Sequence, residues 1–327
     1  MNTLINLLDA ALAARGAFFD ERHESAFRLF NGFLEGFPAL SVDIYAHSVL
    51  LHNYADPPAD DLTADAQRWV LEKFPWARCV IVKTRSGQSD SERRGLLTYG
   101  TASERKVKEH GIWYSIDLTM NRDASFYLDT RSLREWALKT LGGKTVLNTF
   151  AYTGSLGVAA KAGGAARVVQ LDQNRDFLNV AKTSYTLNGL PIDKQDFIAE
   201  NFFPTVSQFK RSRQTFDCVF LDPPFFSFTS KGTVDLETGS SKLINNGGWL
   251  VAINNALFVS GKEYLASLEA LCADGYLSLE QFIPVPEDCA GFPQTRVGDP
   301  PVDPAPFNHS TKIAILRIRR KLQADQL

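Results

Sequence analysis

Residues 145–172, TVLNTFAYTGSLGVAAKAGGAARVVQLD, decide the fold. Thr145-Val146-Leu147 is a short apolar run that reads as a buried parallel strand and ends in the polar Asn148. A loop from Thr149 to Gly154 leads into the small-residue helix Ser155 to Ala162, and a second strand, Arg167 to Leu171, ends on Asp172. The order is strand, tight turn, helix, strand. Asp172 stands 18 residues beyond Gly154, near the ~20 that separate a glycine turn from the acid that holds a ribose hydroxyl in doubly wound folds.

A nucleoside cofactor is expected there, and the loop's composition bears on which one. A pyrophosphate needs bare backbone N–H groups at a helix N-terminus, which is why dinucleotide sites repeat glycine as GxGxxG. Here Gly154 and Gly157 are interleaved with Phe150, Tyr152 and Thr153. Such a loop suits a cofactor without phosphates, and S-adenosylmethionine (SAM) is one. It has a ribose for Asp172, an adenine that wants an apolar slot and a zwitterionic amino acid that wants polar partners. From this stretch alone a phosphate-binding βαβ unit and a plain packing turn stay open.

Outward from that stretch, strands and helices alternate. Strands are expected at 145–148, 167–172, 196–200, 216–221, 248–254, 278–284 and 312–319, with helices at 155–162, 174–187, 203–211, near 235–246 and at 261–274. Seven strands with intervening helices mean an α/β, doubly wound, Rossmann-like sheet. Ahead of it a small α+β domain, residues 1–108, is expected from an N-terminal amphipathic helix, a hairpin of 39–45 and 48–54, a helix 62–74 and a strand 79–84. The second domain would be 109–327, opening with a strand 112–118 and a helix whose first residues are Asp129, Thr130 and Arg131. Residues 85–109, polar and charged, read as a solvated connector or as a basic edge for phosphates (Arg93, Arg94, Arg105, Lys106, Lys108).

At 327 residues the chain has room for two cores, and its formal charge of −2 argues against a strongly basic nucleic-acid coat without excluding a local patch. Its four cysteines, Cys79, Cys218, Cys272 and Cys289, lie far apart with no CxxC spacing, so neither a disulfide framework nor a metal site is expected. No apolar run reaches the ~18 residues of a membrane span, so a cytoplasmic protein is expected.

FDCVFLDPPFFS, Phe216 to Ser227, carries the chemistry. A buried strand delivers Asp222, and Pro223 and Pro224 force a rigid extended turn, each fixing φ near −65°. Lacking N–H donors, this lip offers carbonyls and the Asp222 carboxylate to the amino group of a base, with Phe225 or Phe226 to stack on its face.

With these motifs the chain resembles the bacterial class I SAM-dependent methyltransferases that modify bases of 23S ribosomal RNA, including the cytosine-C5 and guanine-N7 enzymes. The resemblance covers roughly residues 27 to 320 and rests on FYLDTR (126–131), VLNTFAYTG (146–154), LDQN (171–174), LNG (187–189) and LDPPFFS (221–227), with RLFNGFLEGFPALSVDIY similar to the family's central domain. It implies that Phe126, Tyr127, Asp129 and Arg131 close over the cofactor. Asn148, Phe150, Ala151, Tyr152, Thr153, Gly154 and Ser155 would line its methionine end, and Asp172 would hold the ribose. Gln173 and Asn174, with Asn201 and Phe202, would lie beside the adenine. Asp222, Pro223, Pro224 and Phe225 would receive the target. Asn201 stands where the family usually has an aspartate.

Two departures shape the expectation. Cytosine-C5 members carry a nucleophilic cysteine just after the fifth strand, where this chain reads VAINNALF with Asn254 and Asn255, closer to the guanine-N7 members. A ring nitrogen needs only positioning against the sulfonium methyl, so direct N-methylation is favoured. Cys289, the one loop cysteine in the C-terminal half, and His309 read as incidental. Several relatives also begin with a small RNA-binding domain for which there is no room before Arg28. RNA docking would fall to residues 1–108, Lys210-Arg211-Arg213 and Arg317, Arg319, Arg320 and Lys321. A methyltransferase of proteins or small molecules, a non-catalytic SAM-binding module and, more distantly, a nicotinamide dehydrogenase are the rival readings.

Overall fold

In the computed structural model, which describes residues 2–223 and 242–319, the chain divides into two units, Met1–Arg131 with Pro286–Pro300 and Ser132–Val285 with Pro301–Leu327. In the first unit β1 (Ala26–Asn31), β2 (Leu40–Tyr45), β3 (Ser48–Asn53), β4 (Cys79–Thr84) and β5 (Leu96–Tyr99) form one sheet in that order. β2 and β3 are the expected hairpin, with Ala46 in the left-handed region at the turn. Helices α1 (Asn2–Ala14) and α2 (Asp60–Lys73) bury Leu4, Leu8, Trp69 and Val70 in the same core as Val42, Ile44, Val49 and Leu51.

Every residue of β2 and β3 is buried, so the polar ones must be paired inside. Asp43 accepts from Arg28 Nε at 2.8 Å and Nη2 at 3.1 Å and lies 3.1 Å from His52 Nε2. Burial alone would raise its pKa, but Arg28 and His52 outweigh that and hold the carboxyl well below the usual range.

The stretch 85–109, expected as a connector, is ordered structure. It contains α3 (Asp90–Arg94), opened by a Ser89/Glu92 capping box, then β5 and β6 (Lys106–Glu109). β6 pairs with β7 (Ile112–Ser115), which is shorter than the expected 112–118 and forms a separate two-stranded ribbon. Edge and ribbon strands need not bury both faces, so no apolar run announces them; β1 escaped the sequence reading for the same reason. The division between units therefore falls after Arg131 and not at 108/109, and Pro286–Pro300 joins the first unit.

The second unit holds β8 (Thr145–Thr149), β9 (Arg167–Asp172), β10 (Phe197–Ala199), β11 (Phe216–Leu221), β12 (Ile244–Asn254), β13 (Leu277–Phe282) and β14 (Lys312–Ile318) in the order β10-β9-β8-β11-β12-β14-β13. The first five are parallel, and β14 runs antiparallel to both of its neighbours. Successive residues face opposite sides: Leu147, Val169, Val219 and Leu250 meet Val206 and Phe209, while Val146, Val168, Phe220 and Val251 meet Leu133, Ala137 and Leu156. Burial on both faces is why these strands read as continuous apolar runs. The covering helices are α4 (Arg131–Thr140), α5 (Ser155–Ala162), α6 (Arg175–Leu187), α7 (Phe202–Arg211) and α8 (Gly261–Cys272). α4 starts at Arg131 and not at Asp129. The helix expected near 235–246 is corrected where it is described: Ile244 onward is β12, bulged where its register with β11 shifts between Phe216 and Cys218, and 235–241 lie outside the described residues.

The Asp43 pairing makes a test of the first unit. Asp43→Ala strands the Arg28 guanidinium and should lower stability by about 3–5 kcal/mol, read by urea denaturation. Because the folded pKa is depressed, the wild-type protein has this contribution in full above the unfolded carboxyl value near pH ~4 and loses it as pH falls further. The variant should lack that part of the acid dependence.

Candidate active site

The strand order reverses between β8 and β11, and in open α/β sheets the crevice at such a point, outside the carboxyl ends of the strands, is where ligands bind. Register fixes what stands there. Thr149 pairs with Leu171 on one side and Leu221 on the other, so Thr149, Asp172 and Asp222 end at one edge of the sheet. Thr149 Oγ1 donates to the Phe220 carbonyl at 2.7 Å and ties β8 to β11 there.

The loop after β8 is strained in a particular way. Phe150 (φ +52°), Tyr152 (φ +51°) and Gly154 (φ +75°) occupy the left-handed region, which non-glycine residues rarely adopt. Packing and hydrogen bonds offset the cost: the Phe150 ring stacks on Phe202 at 4.8 Å, Tyr152 packs edge-on against Phe177, and Ala151 N–H donates to the Leu171 carbonyl. Strain of this kind, held by its surroundings, gathers at functional sites. Tyr152 N–H goes to Asp172 and Gly154 N–H to the Ala151 carbonyl, so three of the loop's amides are engaged within the protein. A pyrophosphate would need such amides bare; a nucleoside cofactor without phosphates fits.

Asp172 accepts Tyr152 N–H and Asn174 N–H, each at 2.8 Å. Burial raises its pKa, and those two bonds only partly counter the shift. A carboxylate has about four acceptor sites, so capacity remains for ribose hydroxyls. Behind it lies a residue that sequence reasoning passed over. Gln170, fully buried, accepts from Asn148 Nδ2 at 2.8 Å and donates to the Gly154 carbonyl at 3.2 Å. At Gly157 a Cβ would stand 2.2 Å from Gln170 Nε2, so glycine there is a matter of space. The available signal was a lone amide in the apolar run RVVQLD.

The other expected cofactor residues divide between the units. In the second, Ala151 and Thr153 are buried, Ser155 opens α5, Gln173 is exposed, and Asn174 caps α6 by accepting from Asp176 N–H. Asn201 caps α7, accepting from Phe203 N–H at 3.1 Å, and Phe202 is buried against Phe150. Asp222 and Pro223 follow β11, half-buried and buried; Pro224 and Phe225 lie outside the described residues. In the first unit the Phe126 ring is buried on Tyr114, and Tyr127 donates to Asp123 at 3.0 Å. Asp129 is half-buried. Arg131 donates to Asp288 at 2.8 and 3.1 Å and to the Ala26 carbonyl at 2.8 Å, with Glu109 at 3.4 Å. Its guanidinium is thus committed to carboxylates of its own unit, which corrects its expected place over the cofactor to one that positions the FYLDTR segment.

Cys289, in the short helix α9 (Glu287–Ala290), belongs to the first unit; burial and the Asp288 carboxylate push its thiol well above the usual range. Cys218 is likewise buried and pushed up. His309 Nδ1 accepts Thr311 N–H within a turn. Of the residues expected to dock phosphates, Arg94 pairs with Asp90, Arg105 with Asp117 and Arg317 with Glu280, so these charges are already answered within the protein. Among the described residues no group of three His, Cys, Asp or Glu side chains could hold a metal ion, and no helix is long and apolar enough to cross a membrane.

A family model described as S-adenosylmethionine-dependent methyltransferase matches residues 35–289. Ribosomal RNA large subunit methyltransferase I of Photobacterium profundum is 29% identical over 273 residues, 78% of this chain and 68% of that protein. Ribosomal RNA large subunit methyltransferase K/L of Colwellia psychrerythraea is 31% identical over 247 residues, 70% of this chain and 34% of that protein. The chain thus spans about two thirds of the first relative and a third of the second. A putative SAM-dependent methyltransferase from Streptococcus mutans superposes with a TM-score of 0.82 at 21% identity, covering 97% of this chain and 81% of that one, a likeness of fold.

Two substitutions test the site. Gln170→Leu leaves the Asn148 amide and the Gly154 carbonyl without their buried partner, at about 1–3 kcal/mol of stability, and should weaken SAM binding measured by calorimetry. Asp172→Asn should weaken it by roughly tenfold or more, the worth of a hydrogen bond to a charged group. Wild-type affinity should fall on acidification, as Asp172 takes up a proton at a pH above the ordinary carboxyl value; the Asn variant should not show that fall.

Proposed function

Since the chain belongs to the S-adenosylmethionine-dependent methyltransferase family, we propose that it methylates a base of RNA, in the large ribosomal subunit, by direct transfer to a nitrogen. The observation that carries this reading is Asp222-Pro223 at the carboxyl end of β11, one strand from the loop of β8 and on the far side of it from Asp172. SAM bound there supplies a methyl group on a sulfonium that is already activated. Asp172 holds the ribose, and the wall of Phe150 and Phe202 takes the flat adenine. Asp222 and the Pro223 carbonyl accept hydrogen bonds from the amino group of the base and aim its ring nitrogen at the methyl group. Orientation and exclusion of water then supply most of the rate.

Direct transfer is supported by where the thiols are. Cys79, Cys218 and Cys289 are buried with raised pKa values, and Cys272 ends α8, the helix that leads away from the carboxyl edge. A thiolate attack on a base needs an accessible thiol of lowered pKa. The RNA substrate is supported by the relatives named above, and an RNA substrate implies work in the cytoplasm. Methylation of a protein side chain or a small molecule is the second reading, compatible with the near-neutral charge.

The test is incubation with tritiated SAM and total RNA from a strain lacking the gene, followed by nucleoside mass spectrometry. A labelled base methylated on nitrogen is expected. Labelled 5-methylcytidine would sink the direct mechanism, and label that stays out of RNA would sink the RNA substrate. Asp222→Ala should lower turnover by roughly 100-fold, the scale of a misplaced reacting group, with SAM affinity little changed.

A further inference from the structure

We infer that the turn Asn255–Phe258 at the end of β12 is a stacking platform for an RNA base next to the one methylated; this rests on the RNA reading above. β12 is the neighbour of β11, and the pairing of Leu221 with Ala252 sets Asp222 level with Ile253, in strands ~5 Å apart. The chain leaves β12 at Asn254, so the turn borders the lip that receives the target.

Leu257 and Phe258, side by side in this turn, are 64% and 60% exposed. They are the two most exposed large apolar side chains among the described residues of the second unit, ahead of Phe203 at 58%. Adjacent apolar groups in water mark an interaction site more than scattered ones do.

The turn is also held from beneath, which a passive loop does not need. Asn254 Oδ1 accepts Ala256 N–H at 3.0 Å. The Ala256 carbonyl accepts Lys312 Nζ at 3.1 Å, and Lys312 also donates to the Ser310 carbonyl. Lys312 is fully buried on β14, opposite Asn254 in the register. Burying an ammonium is costly, and here it braces the backbone of a surface turn. At the far end a Ser260/Glu263 capping box starts α8. The two apolar side chains are thus presented by a backbone fixed on both sides, so little ordering entropy is left to lose on binding.

A nucleobase suits this platform: every base has a π-face that an aromatic ring can cover, and stacking of that kind carries much of the binding of unpaired RNA. Exposed Asn255, whose amide can donate and accept, adds a hydrogen-bonding group at its rim. Gripping the neighbour of an extruded base helps keep the target in position.

The experiment is steady-state methylation of protein-free large-subunit ribosomal RNA from a strain lacking the gene, with tritiated SAM, comparing wild type, Phe258→Ala, Leu257→Ala/Phe258→Ala and Phe258→Trp. Loss of a stacked base should raise KM for RNA about 5- to 100-fold in the alanine variants, with kcat and calorimetric SAM affinity close to wild type. Phe258→Trp should keep KM close to wild type, which a merely structural role would not predict. Unchanged KM in the double variant overturns the platform, as does a joint loss of kcat and SAM affinity. If the wild-type protein itself labels no RNA, the RNA reading fails and takes the platform with it.

Discussion

Gln170 carries the contact on which the carboxyl edge of the second sheet depends. Its amide takes a hydrogen bond from Asn148 on the neighbouring strand and gives one to the carbonyl of Gly154, at the mouth of α5. Because it fills the space under the loop, Gly157 has no room for a side chain, and Gly154 closes on Ala181. The left-handed residues Phe150 and Tyr152 are held by this floor and by Asp172. A buried amide joined to two partners is stable only when both are in place, so strand register, loop conformation and the direction of Asp172 are fixed together.

The first unit solves another problem. It buries charged and polar residues in its strands and pairs each one: Arg28 with Asp43, Arg15 with Glu35, Arg131 with Asp288. The segment 286–300 takes part through Asp288, which accepts Arg28 N–H and both Nη groups of Arg131. Buried pairs of this sort add little net stability against apolar replacements, but losing one partner is costly. They fix which segments meet. The arginine of FYLDTR, which looks in sequence like a ligand for the cofactor, is part of this fastening.

The direction of the chemistry follows from what surrounds each reactive group. Thiols that could attack a base are buried and hard to ionise, whereas the carboxylates at the carboxyl edge stand on strand ends with acceptor capacity to spare. The end of β12, where a cysteine nucleophile would sit in one branch of the similar enzymes, instead has an asparagine that folds its own turn. That turn is polar beneath and apolar above.

The sequence by itself determined the second sheet. The strands 167–172 and 216–221 and the helix 155–162 were legible to the residue, and Asp172 and Asp222 with them, because strands covered on both faces must be apolar throughout and the first polar residue marks the edge. Only the tertiary structure decided what has no period. β1 and β5 are edges that one neighbour satisfies. The start of β12 is set by a bulge against β11, and the division after Arg131 by pairing with residues 157 positions away. Gln170 and Lys312 gain their roles from partners on other strands. A local pattern records which face of an element is buried; it holds no record of which distant polar atom waits there, and the interior requires that partner to exist.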